Sequence, residues 1–242
     1  MLTDPDVSEI YNKTRKNKIT ATIILISLLS SLLLISGITD DDEIPKLNDD
    51  PISNLPIYGN VSDFTLTNVN NQSYTFSQDL GKIRIVNFFY TKCPGDEGCS
   101  LLTLQMWLIY SKIRQSNDLD KVNFVSIDFD YINDTLEDLQ EYANSYPAES
   151  DSWQFLIGNK TEIDKITDDW NFYFNATQSD NPLTLNHGDE EQPDPYDHSL
   201  IVYIIDQQNR IRKFLLGENW TIDEAISTIE FLIEENNSIT KY

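Results

Sequence analysis

Cysteine and histidine are almost absent from this chain, which has two of each in 242 residues. Any thiol or imidazole chemistry must therefore pass through Cys93, Cys99, His187 or His198. Basic residues are scarce as well, seventeen against forty acidic ones, for a net charge of −23. Residues 1–18 hold four of the basic residues (Lys13, Arg15, Lys16, Lys18) and three of the acidic ones (Asp4, Asp6, Glu9), so the rest of the chain carries −24. Such a surface repels nucleic acid and anionic lipid headgroups, which argues against nucleic-acid binding, and it concentrates cations and basic partners. No internal repeat is visible. The hydrophobic share of 40% and aromatic share of 11% allow a packed core and are too high for a disordered tail.

Charge is missing altogether from Ile19 to Ile38, ITATIILISLLSSLLLISGI. At 1.5 Å per residue a helix of that length crosses the roughly 30 Å hydrocarbon layer of a membrane. Basic residues cluster before it and Thr39-Asp-Asp-Asp-Glu43 follows it, so the positive-inside rule places residues 1–18 in the cytosol and everything after the span outside. The run is longer than a signal-peptide core and lacks a small-residue cleavage site, which favours a retained anchor in the cell membrane. No cysteine follows it for lipidation, and the acidic residues at the start argue against an organellar transit peptide. Seven Asn-x-Ser/Thr sequons, at Asn60, Asn71, Asn133, Asn159, Asn175, Asn219 and Asn236, all fall on the proposed outer side. Residues 39–56, rich in Asp, Asn and Pro, read as a tether, and 57–242 as the folded domain.

Within the domain, Phe64–Thr67 and Ser73–Phe76 alternate around Asn70-Asn71 and predict a hairpin. Lys82–Tyr90 is a nearly continuous apolar run, expected of a buried central strand. Leu101–Ile113 is apolar around the whole helical wheel, which predicts a well-buried helix. A strand over Val122–Asp128 follows, then a helix over Asp134–Tyr146 with an acidic cap, a short strand over Trp153–Ile157, and a helix over Thr161–Trp170 capped by Thr161. Ser199–Asp206 and Ile211–Leu216 predict an antiparallel pair, and Thr221–Glu235 a closing amphipathic helix. This is an α/β, thioredoxin-like order with an added N-terminal hairpin, preceded by one transmembrane helix. Trp107, Trp153, Trp170 and Trp220 read as packing residues.

Cys93 and Cys99 lie where the first central strand gives way to a helix, a place where the helix N-terminus stabilises thiolate. Thiolate both attacks disulfides and binds soft metals. A purely structural disulfide closing so short a loop would contribute only about 2 kcal/mol.

The stretch Phe88-Phe-Tyr-Thr-Lys-Cys-Pro94 with Cys99 and the apolar helix after it resembles the SCO/SenC family of copper chaperones for cytochrome oxidase. So do FVSIDFDYINDTLEDLQEYA, starting at Phe124, and Tyr196-Asp-His-Ser199 followed by LIVYIID. The similarity runs from about Ser62 to Ile233, nearly the whole outer domain. It implies one copper ion held by two thiolates and one imidazole, which by position are Cys93, Cys99 and His198. It also implies the copper-containing subunit of the oxidase as recipient. Thiolates select Cu(I), imidazole suits either copper oxidation state, and zinc fits less well because its structural sites take four ligands. The family spaces its cysteines C-P-x-x-C, whereas here Pro94-Gly-Asp-Glu-Gly98 separates them, two residues more. Gly95 and Gly98 have the freedom to fold the excess outward. Asp96 and Glu97 add like charge beside the thiols.

The alternative is a thiol–disulfide oxidoreductase with Cys93 as nucleophile and Cys99 as resolving thiol, working with a reductant protein on partner cysteines outside the cytosol. Only copper handling needs His198. Asp197 is a candidate to orient His198. His187, in NHGDEEQPDPYDH, reads as part of a solvated acidic loop.

Overall fold

A computed structural model describes residues 54–93, 98–149, 151–176 and 195–239. All belong to the second of two compact units, Asp50–Tyr242. The expected tail, membrane span and most of the tether lie outside the described residues, as do Gly95, Asp96, Glu97 and His187. Among the described residues no helix is long and apolar enough to cross a membrane.

The strands in chain order are β1 (Gly59–Asn60), β2 (Thr65–Asn68), β3 (Ser73–Thr75), β4 (Ile83–Phe89), β5 (Val122–Asp128), β6 (Trp153–Ile157), β7 (Phe174–Ala176), β8 (Tyr196–His198), β9 (Ile201–Ile205) and β10 (Arg210–Leu216). The helices are α1 (Gly98–Gln115), α2 (Leu136–Asn144), α3 (Lys160–Asp169) and α4 (Ile222–Ile239), with a 3-10 turn over Phe76–Asp79. Eight strands form one sheet in the order β1-β10-β9-β4-β5-β6-β2-β3, and β7 and β8 pair separately. Strands β4, β5 and β6 run parallel, joined by crossovers through α1 and α2. Strand β9 lies antiparallel on the other edge of β4.

Every residue of β4 and β5 is buried, as expected of central strands covered on both faces. Two of their polar residues, Asn87 and Ser126, are satisfied in series. Trp153 Nε1 donates to Ser126 Oγ (3.0 Å), Ser126 donates to Asn87 Oδ1 (2.7 Å), and Asn87 Nδ2 donates to Thr103 Oγ1 (3.1 Å). Thr103 in turn donates to the carbonyl of Cys99 at 3.0 Å. One buried chain thus ties β6, β5 and β4 to the start of α1. The N-terminal hairpin is there and extends the sheet, since β2 also pairs with β6. Trp153, Trp170 and Trp220 are buried, and Trp107 packs partly buried against the same core.

Two expected caps belong to other residues. Thr135, not Asp134, caps α2, accepting from the Asp138 amide while Asp138 accepts from Thr135. Asp134 turns inward instead, for a reason that belongs to the site. Asn159, not Thr161, caps α3 and accepts from the Thr161 and Glu162 amides at 2.9 and 3.2 Å. An asparagine two positions earlier reaches both free amides, whereas Thr161 already lies inside the first turn.

Candidate metal centre

The parallel strand β4 ends at Phe89, and the backbone turns through Tyr90 to deliver Cys93 at the C-terminal edge of the sheet. The Cys93 amide donates to the Tyr90 carbonyl at 3.3 Å, and Ser100 Oγ donates to the Cys93 carbonyl at 3.3 Å. Asp134 fastens this turn from across the sheet. Its two oxygens accept from the Thr91 amide and the Thr91 hydroxyl, both at 2.6 Å, which is why it does not cap α2. Lys92 Nζ lies 3.2 Å from Asp134 and donates to the Asn133 carbonyl at 2.9 Å. Although partial burial disfavours the Lys92 ammonium, its bond to Asp134 and the neighbouring carboxylates outweigh that and raise its pKa.

Helix α1 begins at Gly98, three residues before its apolar run, so Cys99 sits in the first turn and is fully buried. Cys93 is half-buried. The two sulfurs are joined as a disulfide, with Cα atoms 6.5 Å apart. The two extra residues of the loop therefore leave the sulfurs within bonding reach of each other. Gly98 has φ +62°, a left-handed conformation suited to glycine.

His198 ends β8, a strand that sequence patterning does not reveal. Phe174 pairs with His198 and Ala176 with Tyr196, and the imidazole stands 5.4 Å from the ring of Phe129 and 6.1 Å from that of Tyr90, centre to centre. Below it, the Tyr196 hydroxyl donates to Asp130 Oδ1 at 2.7 Å, fixing the strand to the loop after β5. Burial, then this bond to Asp130, pushes the Tyr196 phenol up. His198 Nδ1 lies 3.1 Å from the Ser199 carbonyl. A carbonyl only accepts, so Nδ1 is the donor in this contact. The Ser199 carbonyl thus helps to orient His198, while Asp197 is exposed and accepts a long 3.5 Å contact from the Tyr173 hydroxyl.

Ligand atoms of Cys93, Cys99 and His198 all lie within 4.8 Å of one another, and among the described residues no other group of three or more potential ligands does so. Three segments more than ninety residues apart in sequence at their extremes converge here. Two sulfurs and one imidazole nitrogen form a soft donor set that suits Cu(I) once the disulfide is opened. As a disulfide the pair stores two oxidising equivalents, with Cys93 the more accessible sulfur for an incoming thiolate. The acceptor that holds the first amide of α1, Glu218, carries no sequence signal, because it lies 120 residues from Gly98.

Residues 58–234 match the SCO1/SenC family model. Among curated proteins, the SCO1 protein homolog of Bacillus subtilis is 25% identical over 177 residues, covering 72% of this chain and 83% of that protein. Among solved structures, Arabidopsis thaliana ScoI with copper bound superposes with a TM-score of 0.59 at 22% identity, covering 72% of this chain and 98% of its own. BsSco, described as a member of the Sco family of cytochrome c oxidase assembly proteins with a disulfide switch, does so with a TM-score of 0.55 at 21% identity, covering 72% of this chain and 94% of its own. These likenesses establish the thioredoxin-like Sco fold.

Proposed function

The chain belongs to the SCO1/SenC family, and from that premise we propose that it is a copper chaperone that serves the copper centre of a respiratory cytochrome oxidase. The observation that carries the reading is the convergence of Cys93, Cys99 and His198 within 4.8 Å. In this reading copper is cargo. Reduced thiols at Cys93 and Cys99 and the Nε2 lone pair of His198 hold it, and three ligands leave room for a partner's ligands to exchange in. The Ser199 carbonyl takes Nδ1, which assigns the ligand role to Nε2, while Tyr90 and Phe129 limit the rotation of the ring. The pull of Asp134 on Thr91 fixes the turn that carries Cys93.

Uncharged residues 19–38 act as the anchor in the cell membrane, with residues 1–18 cytosolic and the domain on the outer face, where an oxidase copper centre is exposed. The closed disulfide favours a second role at the same site: a thiol–disulfide oxidoreductase in which Cys93 attacks and Cys99 resolves. The same disulfide means that a dithiol reductant must open the pair before any copper is loaded.

The deciding experiment titrates Cu(I) into the full-length chain in mild detergent, reduced and free of oxygen, against a competing chelator. One tightly held ion, weakened by each of Cys93→Ser, Cys99→Ser and His198→Ala, is the expected result. Weak binding indifferent to His198→Ala removes the copper role and leaves the oxidoreductase.

A further inference from the structure

We propose that Glu218 sets the redox poise of the Cys93–Cys99 pair, its carboxylate occupying the first amide of the helix that carries Cys99. The purpose of that poise rests on the copper reading above, but its chemistry is measurable on the metal-free protein.

The Gly217-Glu218 corner follows β10 and connects both arms of the site. Gly217, at φ +65°, donates its amide to the Leu200 carbonyl at 2.8 Å, two residues beyond His198. Trp220 Nε1 donates to the Gly217 carbonyl at 3.0 Å, and Gln105 Nε2 from α1 donates to the Glu218 carbonyl at 3.3 Å. So pinned, Glu218 extends its side chain to the start of α1, where Oε1 accepts from the Gly98 amide at 2.5 Å. A methyl group placed on Gly98 would stand 3.7 Å from Cys93 Sγ. Glu218 thus holds the amide of the same glycine whose Cα faces Cys93 Sγ.

Opening the disulfide takes two electrons and two protons from a dithiol, which becomes a disulfide itself. Negative charge develops on sulfur as the S–S bond breaks, and a helix-start amide is the natural donor to that charge. Here the amide is committed to Glu218, and the carboxylate adds a negative charge of its own beside the sulfurs. Both effects favour the closed pair, so a strongly reducing dithiol is needed to open it. Glu218 is a positioning residue in this scheme, acting on the cysteines through Gly98.

The test equilibrates the full-length, metal-free chain with dithiothreitol redox buffers at mildly alkaline pH and reads the cysteine state by alkylation and mass. Glu218→Gln keeps an acceptor for the Gly98 amide and drops the charge, while Glu218→Ala frees the amide. Both are expected to favour the dithiol by roughly tenfold, a rise of about 30 mV for a two-electron couple. Wild-type potentials in both variants overturn the proposal and reduce Glu218 to a neutral brace, whereas a rise in Glu218→Ala alone supports it and assigns the effect to the amide and not to the charge. The Cu(I) titration of the wild type is scored separately. Copper binding with an unmoved potential in the variants sinks this inference alone, and a shifted potential without wild-type copper binding sinks the copper reading alone.

Discussion

Asp128 ends a central strand beneath the cysteine turn, fully buried, with Oδ1 accepting the Asp130 amide at 2.9 Å and Oδ2 lacking a hydrogen-bond partner. Burial, reinforced by the negative charge of Asp134, raises its pKa well above the ordinary carboxyl range. The folded state therefore holds a proton that the unfolded chain releases once the pH passes the usual carboxyl value. Stability from this group is complete below that value and is lost as the pH rises through the raised one. The loss has a slope of up to about 1.4 kcal/mol per pH unit for one proton. Asp118 and Asp138 have lowered pKa values, through bonds to Lys121 and to Thr135 first of all, so their contribution is lost only in acid, below this window. Urea unfolding between mildly acidic and neutral pH is expected to show the wild type weakening as pH rises and Asp128→Asn nearly flat. Equal slopes in the two proteins would mean that Asp128 does not hold that proton. The site's own residues were unequally visible in sequence. Two cysteines and the His198 motif stood out by scarcity and resemblance, whereas Glu218, Asp134 and the Ser199 carbonyl act through contacts that link distant parts of the chain.

Helix boundaries decide the contacts at the next scale, and α3 gives a clean comparison. Asn159 accepts from two amides and receives Glu162 Oε2 on its own amide at 2.8 Å, closing a capping box. Asn159→Ala is expected to cost about 1 kcal/mol, seen as a lowered urea midpoint with unchanged slope, because two first-turn amides lose their acceptor. Thr161→Ala, at an exposed position inside the turn, is expected to stay within about 0.5 kcal/mol. The reverse ranking would restore Thr161 as the cap. Strand β4 was legible because burial on both faces favours a nearly continuous apolar run, broken here only by Arg84 and Asn87. The hairpin that carries His198 was not. Strands β7 and β8 have three residues each and are separated by residues 177–195, too short for alternation and too far apart for a turn signal. Likewise α1 begins earlier than its apolar face because Glu218 holds Gly98 there.

Across the whole domain, the metal centre and a buried arginine clamp occupy opposite ends of β4. Cys93 follows the C-terminal end of the strand, while Arg84, near its start, donates through Nη2 to the Asp206 carbonyl at 2.6 Å. Beside Asp206 sits Arg212, its side chain only 3% exposed. Its guanidinium donates to the Leu55 and Pro56 carbonyls (3.0 and 3.2 Å), to Asp206 Oδ2 (3.1 Å) and to both oxygens of Glu235 (2.5 and 3.0 Å). The bond to Glu235 leads in raising its pKa, so the charge is permanent. One side chain thereby joins the first described segment, the β9–β10 turn and the last helix. Methionine fills similar volume but leaves two carbonyls and part of the buried Asp206 carboxylate unpartnered, although Arg210 Nε still reaches Asp206 at 2.7 Å. Arg212→Met is expected to cost about 3 kcal/mol in urea unfolding. Cu(I) affinity measured on the folded fraction should not change, because Arg212 lies beside the start of β4 and the ligand cysteines follow its other end. A cost below about 1 kcal/mol would show the guanidinium behaving as an exposed ion pair. A parallel loss of copper affinity would show that the two ends of β4 are mechanically coupled, and the centre would then depend on how the chain is held at its far end.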